Sequence, residues 1–144
     1  MEKRVHRDNH LGLKGWAIAG KYGAERYLYL LHRITGLGLL TYLLLHVYVT
    51  GVRIQGEAAW AAKMAAVGTP FFKFGEFLVV VGFIFHALNG IRLLIVEFGY
   101  CIGKPERQEY PYVTSVTKQR PLTIAVLVLA GLLIALSGLE FFIL

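Results

Sequence analysis

His32, Arg33, His46 and His86 border or interrupt long apolar stretches of this chain. Polar and ionisable side chains are costly in such a setting, so each one is a functional candidate. A neutral imidazole offers one nitrogen lone pair and is a common protein ligand to haem iron. On a helix, residues four apart share a face. Gly82 and Gly90 stand four residues before and four after His86, a spacing that predicts a flat strip wide enough for a porphyrin plane. A lone histidine inside a membrane span more often hydrogen-bonds a neighbouring helix. Such a histidine would not need both glycines, so the frame favours His86 as a ligand.

His46 and His86 are not placed to hold one iron together. With Arg33 and Arg92 marking one membrane boundary, a rise of 1.5 Å per residue puts His46 about 20 Å in and His86 about 9 Å in. Two axial nitrogens each sit about 2 Å from one metal, so a depth gap of roughly 10 Å is too large. If either histidine ligates haem through a pair of imidazoles, the second comes from another polypeptide. The chain then reads as half of a haem-binding helix bundle.

His32 and Arg33 lie at the opposite end of the same apolar stretch from His46, and Thr35, eleven residues before His46, shares its helix face. A quinone needs hydrogen-bond donors at the membrane boundary, and haem propionates need cations there. The Arg33 guanidinium suits both tasks because it stays charged and offers several donors. Tyr29, one turn earlier, adds a hydroxyl. The plainer readings are a boundary cation for Arg33 and an interfacial aromatic for Tyr29.

The elements that must position these groups follow from composition. Of 144 residues, 56% are hydrophobic, more apolar surface than a soluble domain of this size can bury. The apolar residues form three blocks, about residues 27–52, 71–98 and 121–143, and residues 34–52 hold no Asp, Glu, Lys or Arg. Each block reaches the roughly 20 residues a helix needs to cross a bilayer. An all-α integral membrane protein with three transmembrane helices is expected, with an N-terminal arm over 1–25 and a three-span anchor over 26–144.

The net charge of +6 is concentrated at one side. Lys3, Arg4, Arg7, Lys14, Lys21 and Arg26 precede the first span, and Lys104, Arg107, Lys118 and Arg120 lie between spans two and three. The first connection has only Arg53, Lys63 and Lys73 against Glu57 and Glu76. The positive-inside rule predicts a multi-pass protein of the inner or cytoplasmic membrane, N-terminus cytoplasmic and C-terminus outside. Boundary cations account for the charge without nucleic acid as a partner; membrane lipid is the expected surrounding.

The first 25 residues lack the apolar core of a cleavable signal peptide. A single cysteine, Cys101, allows no internal disulfide and no thiolate cluster. "EAAWAAKMAAV" (57–67) is helix-prone and, with Trp60, predicts a short interfacial helix closed by "GTP" at 68–70. "GKPERQEYPYVTSVTKQRP" (103–121) reads as a polar loop. In span three, Gly131 and Gly138 share a face with Ala135 nearby, which suits close helix packing.

"LHRITG" at 31–36 and "HALNGIR" at 86–92, in that order on spans one and two, resemble the cytochrome b membrane-anchor subunit of succinate dehydrogenase / fumarate reductase (succinate:quinone oxidoreductase, complex II). "EFGY" at 97–100 fits the end of that family's second helix. The resemblance covers about residues 26–100, and the third span agrees in placement. It implies that His86 is an axial ligand of haem b, the opposite ligand coming from a second small membrane-anchor subunit. It also implies that His32 and Arg33, with Gly82 and Gly90, lie near the haem and its propionates. Tyr29 and Arg33 would then line the quinone pocket. Many members carry a serine where this chain has Tyr29, a larger hydroxyl donor. Two-haem members use a histidine late in the first helix for a second haem near the outer face. His46 fits that position, and the alternative for it is a hydrogen-bonding residue at the outer rim.

By that resemblance the chain carries no dicarboxylate chemistry and no catalytic residue of its own. A flavoprotein subunit oxidises succinate, an iron–sulfur subunit passes the electrons on, and this anchor binds haem b and helps form the site where quinone accepts them, linking the tricarboxylic acid cycle to electron transport. The rival readings are the anchor cytochrome b of another quinone-linked oxidoreductase and a haem-free membrane adaptor.

Overall fold

The computed structural model describes residues 24–103 and 118–144. Nearly all of the proposed N-terminal arm, and most of the loop between the last two spans, lie outside them. Among the described residues there is no strand. The chain folds as helix α1 (Ala24–Gly51), a 3-10 turn (Val52–Gln55), a short helix α2 (Glu57–Val67), then α3 (Pro70–Glu97) and α4 (Arg120–Phe142). The helices α1, with its trailing turn, α3 and α4 are long and apolar enough to cross a membrane. The expectation of an all-α, three-span protein is borne out.

Local chemistry explains the helix limits. Pro70 opens α3 and Pro121 lies in the first turn of α4, where a missing N–H costs nothing. Gly56 takes φ +100° between the 3-10 turn and α2, a conformation that side chains with a Cβ rarely adopt. Within α1, the hydroxyls of Thr35, Thr41 and Thr50 donate to carbonyls four residues back, at 2.8, 2.9 and 2.7 Å. Each hydroxyl is thereby satisfied inside its own helix, as a lipid setting demands.

Packing is sparse. The only buried hydrophobic side chains among the described residues are Leu28 and Ala130, while Leu37, Leu44 and Tyr48 on α1 are each about two-thirds exposed (67%, 66% and 71%). In a membrane protein such faces meet lipid or other helices.

The antiparallel pair α3–α4 is pinned at both ends. At one, Phe77 lies against Phe142, ring centroids 5.2 Å apart and nearly perpendicular at 75°. A Cβ on Gly138 would touch that Phe77 ring at 3.6 Å, so Gly138 admits Phe77, whereas Gly131 has no described neighbour within 4 Å of where its Cβ would lie. At the other end, buried Arg92 donates from Nε to Asn89 Oδ1 (2.9 Å) and from Nη1 to Gln119 Oε1 (2.6 Å). Thr123 donates to the Gln119 carbonyl at 3.1 Å. Arg120 meets Glu25 at 3.3 Å and ties the start of α4 to the start of α1.

Candidate functional site

The contact between α1 and α3 is built around two histidines. The rings of His32 and His86 stack with centroids 3.9 Å apart and planes 8° from parallel. His86 Nδ1 lies 3.1 Å from the backbone carbonyl oxygen of His32 and 3.2 Å from Thr35 Oγ1. A carbonyl oxygen can only accept, so Nδ1 carries the ring proton and donates it. The neutral ring then keeps its lone pair on Nε2, which has no hydrogen-bond partner among the described residues. An imidazole held by Nδ1–H with a free Nε2 is the usual arrangement of a metal-ligating histidine.

Glycines permit this approach. A Cβ on Gly36 would sit 2.8 Å from His86 Cε1, inside any tolerable contact. A Cβ on Gly90 would lie 3.5 Å from His32 Cε1, and one on Gly82 3.8 Å from Thr35 Cγ2. The strip above and below His86 is therefore met by side chains of α1 rather than standing clear. Gly82 and Gly90 serve helix–helix approach, and the case for His86 as a ligand rests on its nitrogen chemistry.

The depth relation between the histidines is wider than the boundary arginines suggest. His86 is level with His32 to Gly36, and His46 stands ten residues beyond Gly36 on the same helix, about 15 Å further along. The reason is that Arg92 lies nearer the helix ends than Arg33 does, so the two residues do not mark a common depth.

Tyr29 and Arg33 form their own exposed pair on α1. Arg33 Nη1 donates to Tyr29 Oη at 2.6 Å, and the guanidinium carbon sits 5.4 Å from the Tyr29 ring centroid. This holds one donor of Arg33, and the rest of its fork has no hydrogen-bond partner among the described residues. Neither residue is hydrogen-bonded to or stacked on His86 among the described residues.

His46 lines a separate cavity of about 780 Å³ between the second half of α1 and the first half of α3, roofed by Trp60, Met64 and Val67 of α2. The lining is mostly apolar, with Thr41, Tyr42, Thr50 and Glu76 as its other polar members. Gly38 and Gly75 also line it, and a Cβ at either would meet nothing within 4 Å. Neither ring nitrogen of His46 has a hydrogen-bond partner among the described residues, while its ring lies 5.6 Å from that of Tyr42.

Sequence reasoning did not single out Gly36, gave Thr35 only a shared face with His46, and took Arg92 as a boundary marker. The available signal for the first two was helical spacing, since Thr35 and Gly36 stand three and four residues after His32 on its own face. Nothing in the sequence pairs Arg92 with Gln119.

The donor set can be set against the groups it could hold. Among the described residues no three His, Cys, Asp or Glu side chains gather as a metal cage. A single imidazole with its Nδ1 anchored and Nε2 unpaired fits one axial position of a haem, provided the opposite position is filled from elsewhere. The Arg33 cation at the same end of α1 fits a carboxylate or a quinone oxygen.

Comparison with known proteins gives the fold a family. Residues 16–136 match the family described as the succinate dehydrogenase/fumarate reductase transmembrane subunit. The chain is 33% identical over 67 residues to the succinate dehydrogenase 2 membrane subunit SdhC of Mycobacterium tuberculosis, a match over 46% of this chain and 49% of that relative. It therefore spans about half the length of that protein. It is 26% identical over 91 residues to the succinate dehydrogenase hydrophobic membrane anchor subunit of Halobacterium salinarum, covering 62% of this chain and 70% of the other. With three apolar helices and a match that spans the first two and reaches well into the third, this chain belongs to the succinate dehydrogenase/fumarate reductase transmembrane subunit family.

Proposed function

We propose that this chain is the cytochrome b anchor of a succinate:quinone oxidoreductase, with His86 Nε2 as an axial ligand of haem b. The observation that carries the reading is the His86 ring, whose Nδ1–H is committed to the His32 carbonyl at 3.1 Å so that the opposite nitrogen is free to bind iron. Haem, when bound, supplies a one-electron carrier beside the quinone site. The residues of this chain hold and orient it: His86 ligates, His32 stacks on that ligand, and Arg33 balances propionate charge. Tyr29 and Arg33 together present donors to the oxygens of a quinone. As quinone takes up two electrons and two protons, those donors hold its oxygens at the membrane boundary.

The other axial ligand, and the cover for the exposed faces of α1, belong to a second small membrane-anchor subunit. Iron–sulfur and flavoprotein subunits dock on the side of the N-terminal arm, whose excess of basic residues supports a cytoplasmic placement. Succinate chemistry resides on those partners.

The cavity at His46 favours a second haem over a merely hydrogen-bonding histidine. Its imidazole makes no hydrogen bond among the described residues and faces about 780 Å³ of largely apolar space. The deciding experiment is the haem b content of the purified complex with its dithionite-reduced minus oxidised spectrum. Two haems per copy of this chain support both sites, and one that vanishes in His86→Ala supports His86 alone. Absence of a Soret band from an intact, quinone-reducing complex would overturn the cytochrome reading in favour of a haem-free anchor.

A further inference from the structure

We propose that Thr35 and Gly36 are positioning residues for the His86 ligand, acting together to fix which of its ring nitrogens faces iron. The inference rests on His86 being a haem ligand and adds how α1 prepares it. In an α-helix the carbonyl of residue 32 accepts from the N–H of residue 36. A side chain at 36 would stand over that carbonyl, and here there is none. The bare backbone lets the His86 ring come close enough that any Cβ at Gly36 would lie 2.8 Å from Cε1 and 3.4 Å from Nδ1. The second lone pair of the His32 carbonyl thus receives Nδ1–H at 3.1 Å.

Thr35 completes the cradle. Its hydroxyl proton stays within α1, on the Leu31 carbonyl at 2.8 Å or the His32 carbonyl at 3.1 Å, and either placement leaves an oxygen lone pair for His86 Nδ1 at 3.2 Å. Nδ1–H is shared between two acceptors, so the tautomer with its lone pair on Nε2 is favoured. Acceptors on Nδ1–H also raise the basicity of the ring and its strength as a ligand to ferric iron. The backbone of the helix that carries His32 and Arg33 is in this way the outer shell of a ligand on α3.

The test is a set of substitutions in the whole complex, read by haem content, the low-spin spectrum and the midpoint potential of haem b. Thr35→Val keeps the shape and removes the acceptor. It is expected to raise the midpoint potential, because ferric haem loses ligand strength, and to weaken haem retention about 10- to 100-fold. Thr35→Ser restores the hydroxyl and is expected to return both towards wild type, which a purely packing role would not produce. Gly36→Ala forces His86 away and is expected to lose the low-spin signal. An unchanged potential and haem content in Thr35→Val would overturn the proposal, as would failure of Thr35→Ser to recover them. If His86→Ala itself leaves the spectrum of the assembled complex intact, the ligand assignment falls and the cradle with it. If His86→Ala abolishes the spectrum while Thr35→Val and Gly36→Ala leave it unaltered, only the cradle falls.

Discussion

His32 and His86 lie face to face, ring centroids 3.9 Å apart and within 8° of parallel, although 54 residues separate them in the chain. The stack covers one face of the His86 ring, fixes its plane and leaves the Nε2 edge uncovered, the edge through which the ring would hold a haem. One residue of "LHRITG" therefore meets His86 in two ways, through its ring and through its carbonyl.

Substituting His32 separates those ways. His32→Ala keeps the carbonyl and removes the stack, worth about 1 kcal/mol, and should lower haem affinity roughly fivefold. His32→Phe keeps an aromatic face and should retain most of it. Haem titration of the depleted complex reads the difference. An equal loss in both variants would assign the effect to the imidazole nitrogens, the role expected beside a propionate.

The Tyr29–Arg33 pair is exposed, so its substitution should leave folding intact. Arg33→Leu should cut quinone reductase activity at least tenfold while succinate oxidation with an artificial dye acceptor continues. Tyr29→Phe removes one 2.6 Å hydrogen bond and should give a milder defect, mainly in KM for quinone. A parallel fall of both activities would point to lost assembly instead.

Filling the cavity at His46 tests the proposed second haem. His46→Ala removes the imidazole, and Gly38→Leu places a side chain where nothing stands within 4 Å of the Cβ position. Both should reduce a two-haem complex to one haem, with the remaining potential close to its original value. If haem content stays at two in His46→Ala, the second iron is held elsewhere.

Stability should divide between the two polar ties of α4. Gln119→Leu removes a buried acceptor from the Arg92 guanidinium and should cost about 2 kcal/mol, visible as a lower thermal midpoint in detergent. Glu25→Ala breaks an ion pair whose Arg120 side chain is 58% exposed, and should cost under about 1 kcal/mol.

Much of this was legible in the sequence. Apolar runs of more than 20 residues can only be helices in hydrocarbon, because every backbone polar group must be satisfied within its own segment. The Tyr29–Arg33 contact follows from a spacing of four on one helix. The separation of His46 from His86 follows from a fixed rise per residue, though its size needed a true level mark. Tertiary packing decided the rest. Helical spacing says which residues share a face but not which neighbour that face meets. Only the crossing of α1 and α3 turned Gly82 and Gly90 towards Thr35 and His32, and brought Gly36 beneath the His86 ring. Only the α3–α4 contact buried Arg92 against Gln119, and only the space left between α1 and α3 under α2 formed a cavity at His46. Those outcomes depend on how closely helices can approach, which is set jointly by residues far apart in the chain.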